Sequence, residues 1–560
     1  MNGSMVLVHS LCDHGVEYIF GLPGDTSLDW YEALHDSASS VTHVLATDER
    51  NAVYMADAYA RISNKPGICE GPSGAGATYM VPGVYEANNS SIPLIAINTD
   101  IFTTERGKAR LTEVDQVSLF EKATKWSIQI DNVNRIPEYV RKAFREATAG
   151  KPGAVHLTFP ADILAQEVDA VPHKLPAYWL TFTRVPAVRY SPSADNIAHA
   201  VDLILDSEAP VIVAGGGIHT SGAYDALEKF AITIAAPVGT SITGKGSIDE
   251  RHPLSIGVVG ENGGSDYANA VVKEADLVIF VGTQTGSVVT HHWSIPSDDA
   301  VIIQIDIDPR EIGRNYIVDC GLLGDARAVL EELITGLQYR VKKIDRTQSI
   351  HEKLKNFHQQ KQEIEEYNNV IHPLRIVKIC ERLFPPETIL VSDAGTPTPY
   401  FALHYATRTG RTCVIPRAFG ALGYAIPAAV GVHKADKTSR VVSLTGDGSL
   451  LVSMAELNTL ARENVPCVVI LFHNTEYSWI KVHMKYRKDQ KYISLDLPDI
   501  SYSTIAESMG LTSYTVRTRE EFEEALATAL NNHTPSFIDA HTVPLHHLDR
   551  NFLPWNVRGL

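Results

Sequence analysis

The densest chemistry in the sequence lies between residues 441 and 474. RVVSLTGDGS reads as a buried strand ending in Gly446-Asp447-Gly448-Ser449, SMAELNTLAREN reads as a helix, and PCVVILF is a second buried strand ending in His473-Asn474. A helix between two strands makes them parallel, so their C-terminal ends lie side by side at the edge where α/β sheets bind ligands. Asp447 and Asn474 would meet there. A carboxylate and an amide oxygen form a hard, oxygen-only donor set suited to Mg²⁺. The glycines allow close backbone approach, and the helix start after Ser449 favours a phosphate. A metal-held diphosphate is the chemistry this predicts. Gly-Asp-Gly alone is most often only a turn; the strand, motif, helix, strand and Asn together carry the reading.

Other residues have a chemical and a bland reading side by side. Glu49 follows the strand VTHVLAT and opens the helix NAVYMADAYARI, where a first-turn acid complements the helix dipole. Asp25, in GLPGDTSLDW, could work as an acid or cap the next helix, with Thr26 and Ser27 equal candidates for the cap. His483, in the charged loop KVHMKYRKDQKY, titrates near neutrality, yet reads first as a surface histidine. His291 and His292 read as solvent-facing in a loop before a strand. Gly395 and Thr396 follow TILVSDAG as a strand-to-helix turn, and Leu422, in GALGYAIP, suits core packing.

The elements that must position these residues are short Val/Ile/Leu-rich runs without alternation (PLIAI, PVIVA, DLVIFVG, VIIQIDI) between amphipathic helical segments. Strands buried on both faces read this way, so the fold class is α/β with three doubly wound parallel sheets. A proline-rich stretch at 166–194 and a charged, Gln-rich stretch at 340–372, read as an exposed crossing helix, divide the chain of 560 residues into units at 1–170, 190–342 and 370–550. The net charge of −17 argues against nucleic acid and anionic membrane surfaces. The six cysteines are scattered, without a C-x-x-C pair, and the N-terminus has no basic region before its apolar run. Reduced thiols in a cytoplasmic protein are the expectation.

Across all three units the sequence resembles the thiamine diphosphate (ThDP)-dependent superfamily, in its acetolactate synthase and 2-oxo acid decarboxylase branch. GVEYIFGLPGD, ATDERNAVYMADAYAR and GPSGAGATYMVPGVYEA match its pyrimidine-binding unit; DLVIFVG with IIQIDIDPREIGRN matches its central Rossmann-like unit; RAFGALGYAIPAAVG before the GDG motif matches its diphosphate unit. The resemblance implies that Glu49 bonds the aminopyrimidine and promotes the tautomer that activates the thiazolium C2. It implies that Asp447, Asn474 and the Glu476 carbonyl hold Mg²⁺. It also puts Gly395, Thr396, Gly446, Gly448 and Ser449 around the diphosphate, and Leu422 beneath the bent cofactor. His473 replaces the first Asn of the family's pair without removing a ligand.

Departures bear on the reaction. Asp25 is more like the decarboxylases than the acetolactate synthases, yet the decarboxylases' paired histidines are absent near 100–120, where RLTEVDQVSLF stands. Leu111 and Thr112 replace the Phe-Gln of acetolactate synthases, and His483 falls near a Trp that favours a larger oxo acid. Gly215-Gly216-Gly217 follows a strand but is not G-x-G-x-x-G, and TQTGSVV replaces an Arg- and Asp-rich segment, so the expectation leans against FAD. The incomplete fingerprint also counts against an NAD-dependent dehydrogenase, and the joint presence of Glu49, Asp447 and Asn474 against a non-catalytic paralogue. The function expected is ThDP- and Mg²⁺-dependent decarboxylation of a pyruvate-like 2-oxo acid with transfer to a carbonyl acceptor; the alternative is simple decarboxylation to an aldehyde, with Asp25 or His483 as proton donor. The resemblance implies a homodimer or homotetramer with active sites at the subunit interface.

Overall fold

The computed structural model describes residues 1–168, 175–338, 340, 367 and 369–554, and three six-stranded sheets organise them. Apolar runs without alternation become fully buried parallel strands, because helices cover both sheet faces. The first sheet holds β1 (Tyr18–Gly21), β2 (Thr42–Leu45), β3 (Gly67–Gly71), β4 (Leu94–Asp100), β5 (Trp126–Gln129) and β6 (Ala154–Pro160), in the order β2-β1-β3-β4-β6-β5. The second holds β7 (Pro210–Ala214), β8 (Val238–Thr240), β9 (Ser255–Val258), β10 (Leu277–Val281), β11 (Val301–Asp306) and β12 (Cys320–Leu323), in the order β12-β11-β10-β7-β8-β9. The third holds β13 (Ile389–Ser392), β14 (Cys413–Val414), β15 (Val441–Gly446), β16 (Cys467–His473), β17 (Thr512–Val516) and β18 (Ser536–His541), in the order β14-β13-β15-β16-β18-β17.

The first and third sheets follow one topology, strand for strand. The helices after their second strands, Glu49–Ser63 and Ala425–Ala435, pack on each other. Their backbones nearly touch: a Cβ on Gly431 would lie 2.0 Å from the Met55 carbonyl oxygen. One apolar cluster, including Val53, Met55, Ile426 and Val430, runs through both units. Within it Asp57 accepts from Arg61 Nε (2.7 Å) and from the Tyr424 hydroxyl (2.5 Å), so the buried charge is compensated.

Two readings shift. KVHMKYR belongs to a helix, Ser478–Arg487, rather than a loop. The crossing helix expected at 340–372 falls mostly on residues 341–366, outside the described residues, as do 169–174 of the first linker. No helix among the described residues is long and apolar enough to cross a membrane, and all six cysteines are free.

Candidate active site

β15 and β16 pair in register to their ends, with Gly446 opposite Phe472, so Asp447 and Asn474 emerge together at one sheet edge. The helix begins inside the motif, spanning Asp447–Ser453 with Gly446 as its N-cap, instead of starting after Ser449. Gly448 answers to crowding, since a Cβ there would lie 2.3 Å from Tyr477 Cε1. Asp447 is 2 % exposed. Its Oδ2 accepts from the backbone N–H of Asn474 (2.8 Å) and Thr475 (2.6 Å), while Oδ1 is buried without a partner. Burial pushes the Asp447 pKa up to about 6.

The Asn474 amide oxygen lies 3.2 Å from Asp447 Oδ2 and 3.1 Å from the Glu476 carbonyl oxygen, and its nitrogen lies 2.9 Å from Ser478 Oγ. Turning the amide over would convert the oxygen contacts to hydrogen bonds. The serine hydroxyl, however, already donates to Glu476 Oε1 at 2.7 Å, which leaves its lone pairs for the amide nitrogen. Two acceptor oxygens at this spacing from the Asn474 oxygen suit a hard cation: oxygens about 2.1 Å from Mg²⁺ in an octahedron stand about 3.0 Å apart. The Glu476 carboxylate points elsewhere, 2.9 Å from Lys481 Nζ and 2.8 Å from His546 Nδ1. His473 is not in the donor set; its Nδ1 lies 2.8 Å from Asp539 Oδ1.

Other expected residues attach to the same edge. Ser449 Oγ donates to the Ala394 carbonyl (3.2 Å), next to Gly395, whose φ of +128° requires glycine. Thr396 precedes the helix Pro397–His404. Asp393 accepts from Tyr424 N (2.7 Å), Ala425 N (3.2 Å) and Thr445 Oγ1 (2.8 Å), which ties the Leu422 loop to β15. Leu422 itself is half-buried and outside the apolar clusters. Glu86, from the first unit, holds the same loop by accepting from Phe419 N (2.8 Å).

Glu49 is the first residue of its helix, with Asp48 as the cap. It is 6 % exposed, and among the described residues its carboxylate meets only its own backbone N–H. Space around it comes from glycine: Cβ atoms on Gly71 and Gly76 would lie 3.2 Å from its Cγ and 2.8 Å from its Oε1. Burial raises its pKa, and Asp48 and Glu70 add to the rise. Glu456 of the third unit fixes the helix start, accepting from Thr47 N (2.9 Å), Thr47 Oγ1 (2.6 Å) and Asn51 Nδ2 (3.1 Å). Among the described residues no bond joins Glu49 to Asp447 or Asn474 within one chain.

Asp25 is exposed in the short turn Asp25–Ser27; Ser27 stands at the N-cap position of the helix Leu28–Asp36 without a side-chain cap bond, and its Oγ lies 2.8 Å from Gly24 N instead. Leu111 is exposed, and Thr112 Oγ1 lies 2.7 Å from Ser73 Oγ. His483 is half-buried, with its ring 5.6 Å from that of Trp479, and burial and then Arg487 lower its pKa. His292 is bonded to Glu261 Oε2 at 2.5 Å and is half-buried, where the sequence suggested a solvent-facing loop. Asp393, Glu86, Glu456 and Glu261 went unmarked in the sequence. Only Asp393, at a strand end in VSDAG, carried a usable signal; the partners of Glu86 and Glu456 lie hundreds of residues away.

A separate cleft of about 690 Å³ opens at the second sheet where the strand order reverses, between β7 and β10. Gly216, Gly217 and Gly282 line it, and a Cβ on Gly217 would lie 2.7 Å from Gly282 Cα. Asp306, at the end of β11, is raised to about 6 by burial. Arg411 and Arg417, from around β14, line the cleft as well.

Family models match all three units: "Thiamine pyrophosphate enzyme, N-terminal TPP binding domain" at residues 1–119, "central domain" at 197–333 and "C-terminal TPP binding domain" at 393–540. The chain is 34 % identical to a probable acetolactate synthase large subunit of Methanococcus aeolicus, over 96 % of this chain and 92 % of that protein. It is 34 % identical to the corresponding protein of Methanocaldococcus jannaschii, over 96 % and 91 %. It is 30 % identical to the acetolactate synthase large subunit of Haemophilus influenzae, over 100 % and 97 %.

Proposed function

The chain belongs to the thiamine pyrophosphate enzyme family, and from that premise we propose that it is a ThDP- and Mg²⁺-dependent enzyme that decarboxylates a pyruvate-like 2-oxo acid and transfers the remaining carbon unit to a carbonyl acceptor. The observation that carries this is the Asn474 amide oxygen set 3.2 Å from Asp447 Oδ2 and 3.1 Å from the Glu476 carbonyl oxygen, with Asp447 Oδ1 buried and unpaired. That oxygen set would hold the cation and, through it, the diphosphate; Gly395, Thr396 and Ser449 line the same edge. ThDP supplies a carbon nucleophile that also accepts the electron pair released with CO₂.

Glu49 would hold a proton on the aminopyrimidine nitrogen. Its raised pKa suits a group that shares a proton with a weak base at neutral pH, and the space left by Gly71 and Gly76 admits a ring beside it. Leu422 would support the cofactor from its half-buried loop. Glu49 and the Asp447 cluster are unconnected within one chain, and apolar Leu28, Tyr79, Phe102, Phe419 and Ile480 are exposed. Both support a homodimer or a dimer of dimers in which the first unit of one copy faces the third unit of another. Six free, scattered cysteines suit a reducing compartment such as the cytoplasm. Glycines packed at the switch point and the buried Asp306 give the second cleft groups that fit a ribose and diphosphate. FAD therefore stays a candidate occupant despite the missing fingerprint, and the colour of the purified protein decides it.

The test is to add ThDP and Mg²⁺, then supply pyruvate and other 2-oxo acids with CO₂ release as the readout. Thermal stabilisation by the cofactor and CO₂ release are expected. A larger hydroxy-ketone as product supports transfer, and a free aldehyde supports the simple decarboxylase. Absence of both stabilisation and CO₂ release refutes the assignment.

A further inference from the structure

Arg417 is an unusual residue in this molecule. It sits between β14 and the Leu422 loop, half-buried, and lines the cleft at the second sheet. Its Nε is sealed from solvent without a hydrogen-bond partner. Among the described residues it forms no hydrogen bond and no ion pair, although nearly every other buried cation does. Arg61 is bonded to Asp57 and Glu86, Lys245 to Glu250 at 2.5 Å, and Lys481 to Glu476. A buried N–H without an acceptor is unfavourable, and burial lowers the guanidinium pKa. The opposite charges that act on it, Glu86 and Glu261, do so only at a distance. Glu86 is already committed to Arg61, Ser90 and the Phe419 N–H, and Glu261 is bonded to His292.

The backbone beside Arg417 cannot easily relax to relieve it. Glu86 accepts from the N–H of Ala418 (3.4 Å) and Phe419 (2.8 Å), and Phe419 stacks on Tyr85 with ring centres 5.1 Å apart. The guanidinium is thus held, with its Nε unpaired, at an open cavity and beside the loop that carries Leu422. The Glu261 N–H donates to the carbonyl of Val288 (2.8 Å), which lines the cleft, so the carboxylate that acts on Arg417 from the second unit belongs to the cleft wall.

We infer that Arg417 is the anion-recognition residue of this cleft, taking an oxyanion of a bound ligand in its guanidinium fork. A planar fork facing a cavity favours a carboxylate or phosphate oxygen pair. Two sources supply such a group: the carboxylate of the 2-oxo acid, which rests on the function proposed above, and the phosphate of a nucleotide in the cleft, which does not.

The experiment compares wild type, Arg417→Met and Arg417→Lys as holoenzymes with ThDP and Mg²⁺, measuring KM and kcat for the active 2-oxo acid and, by calorimetry, the Kd for ADP. If the carboxylate is the ligand, Arg417→Met raises KM about tenfold or more, with a smaller fall in kcat, and leaves ADP affinity alone. If phosphate is the ligand, ADP affinity falls by that factor and KM holds. A tenfold change corresponds to about 1.4 kcal/mol. Arg417→Lys recovers part of either loss, because the charge is kept and the fork is not. The ligand-free Arg417→Met protein melts no lower than wild type, since an uncompensated charge has been removed. Changes under threefold in both KM and Kd overturn the inference. Dissociation of the oligomer by Arg417→Met with both constants intact also overturns it, by giving the guanidinium a protein partner in the second copy. If wild type releases CO₂ from no 2-oxo acid, the proposed function fails and the ADP arm alone decides the role of Arg417.

Discussion

Replacing Gly431 by alanine tests how the first and third units hold each other. The new Cβ would stand 2.0 Å from the Met55 carbonyl oxygen and 2.8 Å from its carbon. A carbon needs about 3.3 Å from a carbonyl oxygen, so the two helices must part by about 1.3 Å at this point. Neither can give locally, because backbone meets backbone and the surrounding cluster is fully buried. Overpacking of this kind costs about 1–3 kcal/mol, which at about 2–4 °C per kcal/mol lowers Tm by roughly 2–12 °C. Met55 lies on the Glu49–Ser63 helix, so the displacement reaches Glu49; with the catalytic role proposed for Glu49, about 1 Å of misplacement costs on the order of 100-fold in turnover. The cation site proposed on β15 and β16 is not on the displaced helix. The assays are thermal unfolding, with and without ThDP and Mg²⁺, and CO₂ release under saturating substrate. The variant should melt lower, keep most of its cofactor-induced stabilisation and lose most of its kcat. Wild-type Tm together with wild-type kcat would refute the reasoning that this helix contact fixes Glu49.

Glu49→Gln should retain the wild-type fold by circular dichroism and lose turnover by at least about 100-fold, as removal of a general acid–base group does; near-normal kcat would sink its assigned role. Asp447 has a pKa of about 6 in the folded protein and must be ionised to bind a cation. Mg²⁺ affinity, titrated calorimetrically, should therefore be level above pH 6 and fall about tenfold per unit below it; a flat profile down to pH 5 contradicts the site. Glu456→Ala leaves the buried Asn51 Nδ2 without its acceptor, at about 1–3 kcal/mol for a buried group left unpaired, and differential scanning calorimetry should show an earlier melt. Glu70 is 1 % exposed and burial raises its pKa, so the native state keeps a proton that the unfolded state has released. Stability from this group is present below the ordinary carboxylate range and is lost as pH rises through the raised pKa. Glu70→Gln should flatten that decline in denaturant titrations run across the pH range, and an unchanged slope would reject it.

The sequence by itself determined what depends on near neighbours in the chain. Unalternating apolar runs gave strands buried on both faces, and strand, Gly-Asp-Gly, helix, strand and Asn placed Asp447 beside Asn474, because one crossover fixes where two parallel strands end. The start of the Glu49 helix was equally legible, since a strand, a cap and a helical pattern meet there. Tertiary structure decided what depends on distant partners. Burial, not residue type, raises the pKa of Glu49 and Asp447. The Asn474 oxygen meets the Glu476 carbonyl only because Ser478 takes the other end of the amide. Glu86 and Glu456 acquire their roles from groups hundreds of residues away, and Arg417 stands out only because the folded chain offers it no partner. Such facts are sums over three-dimensional neighbours, which local pattern and spacing do not encode.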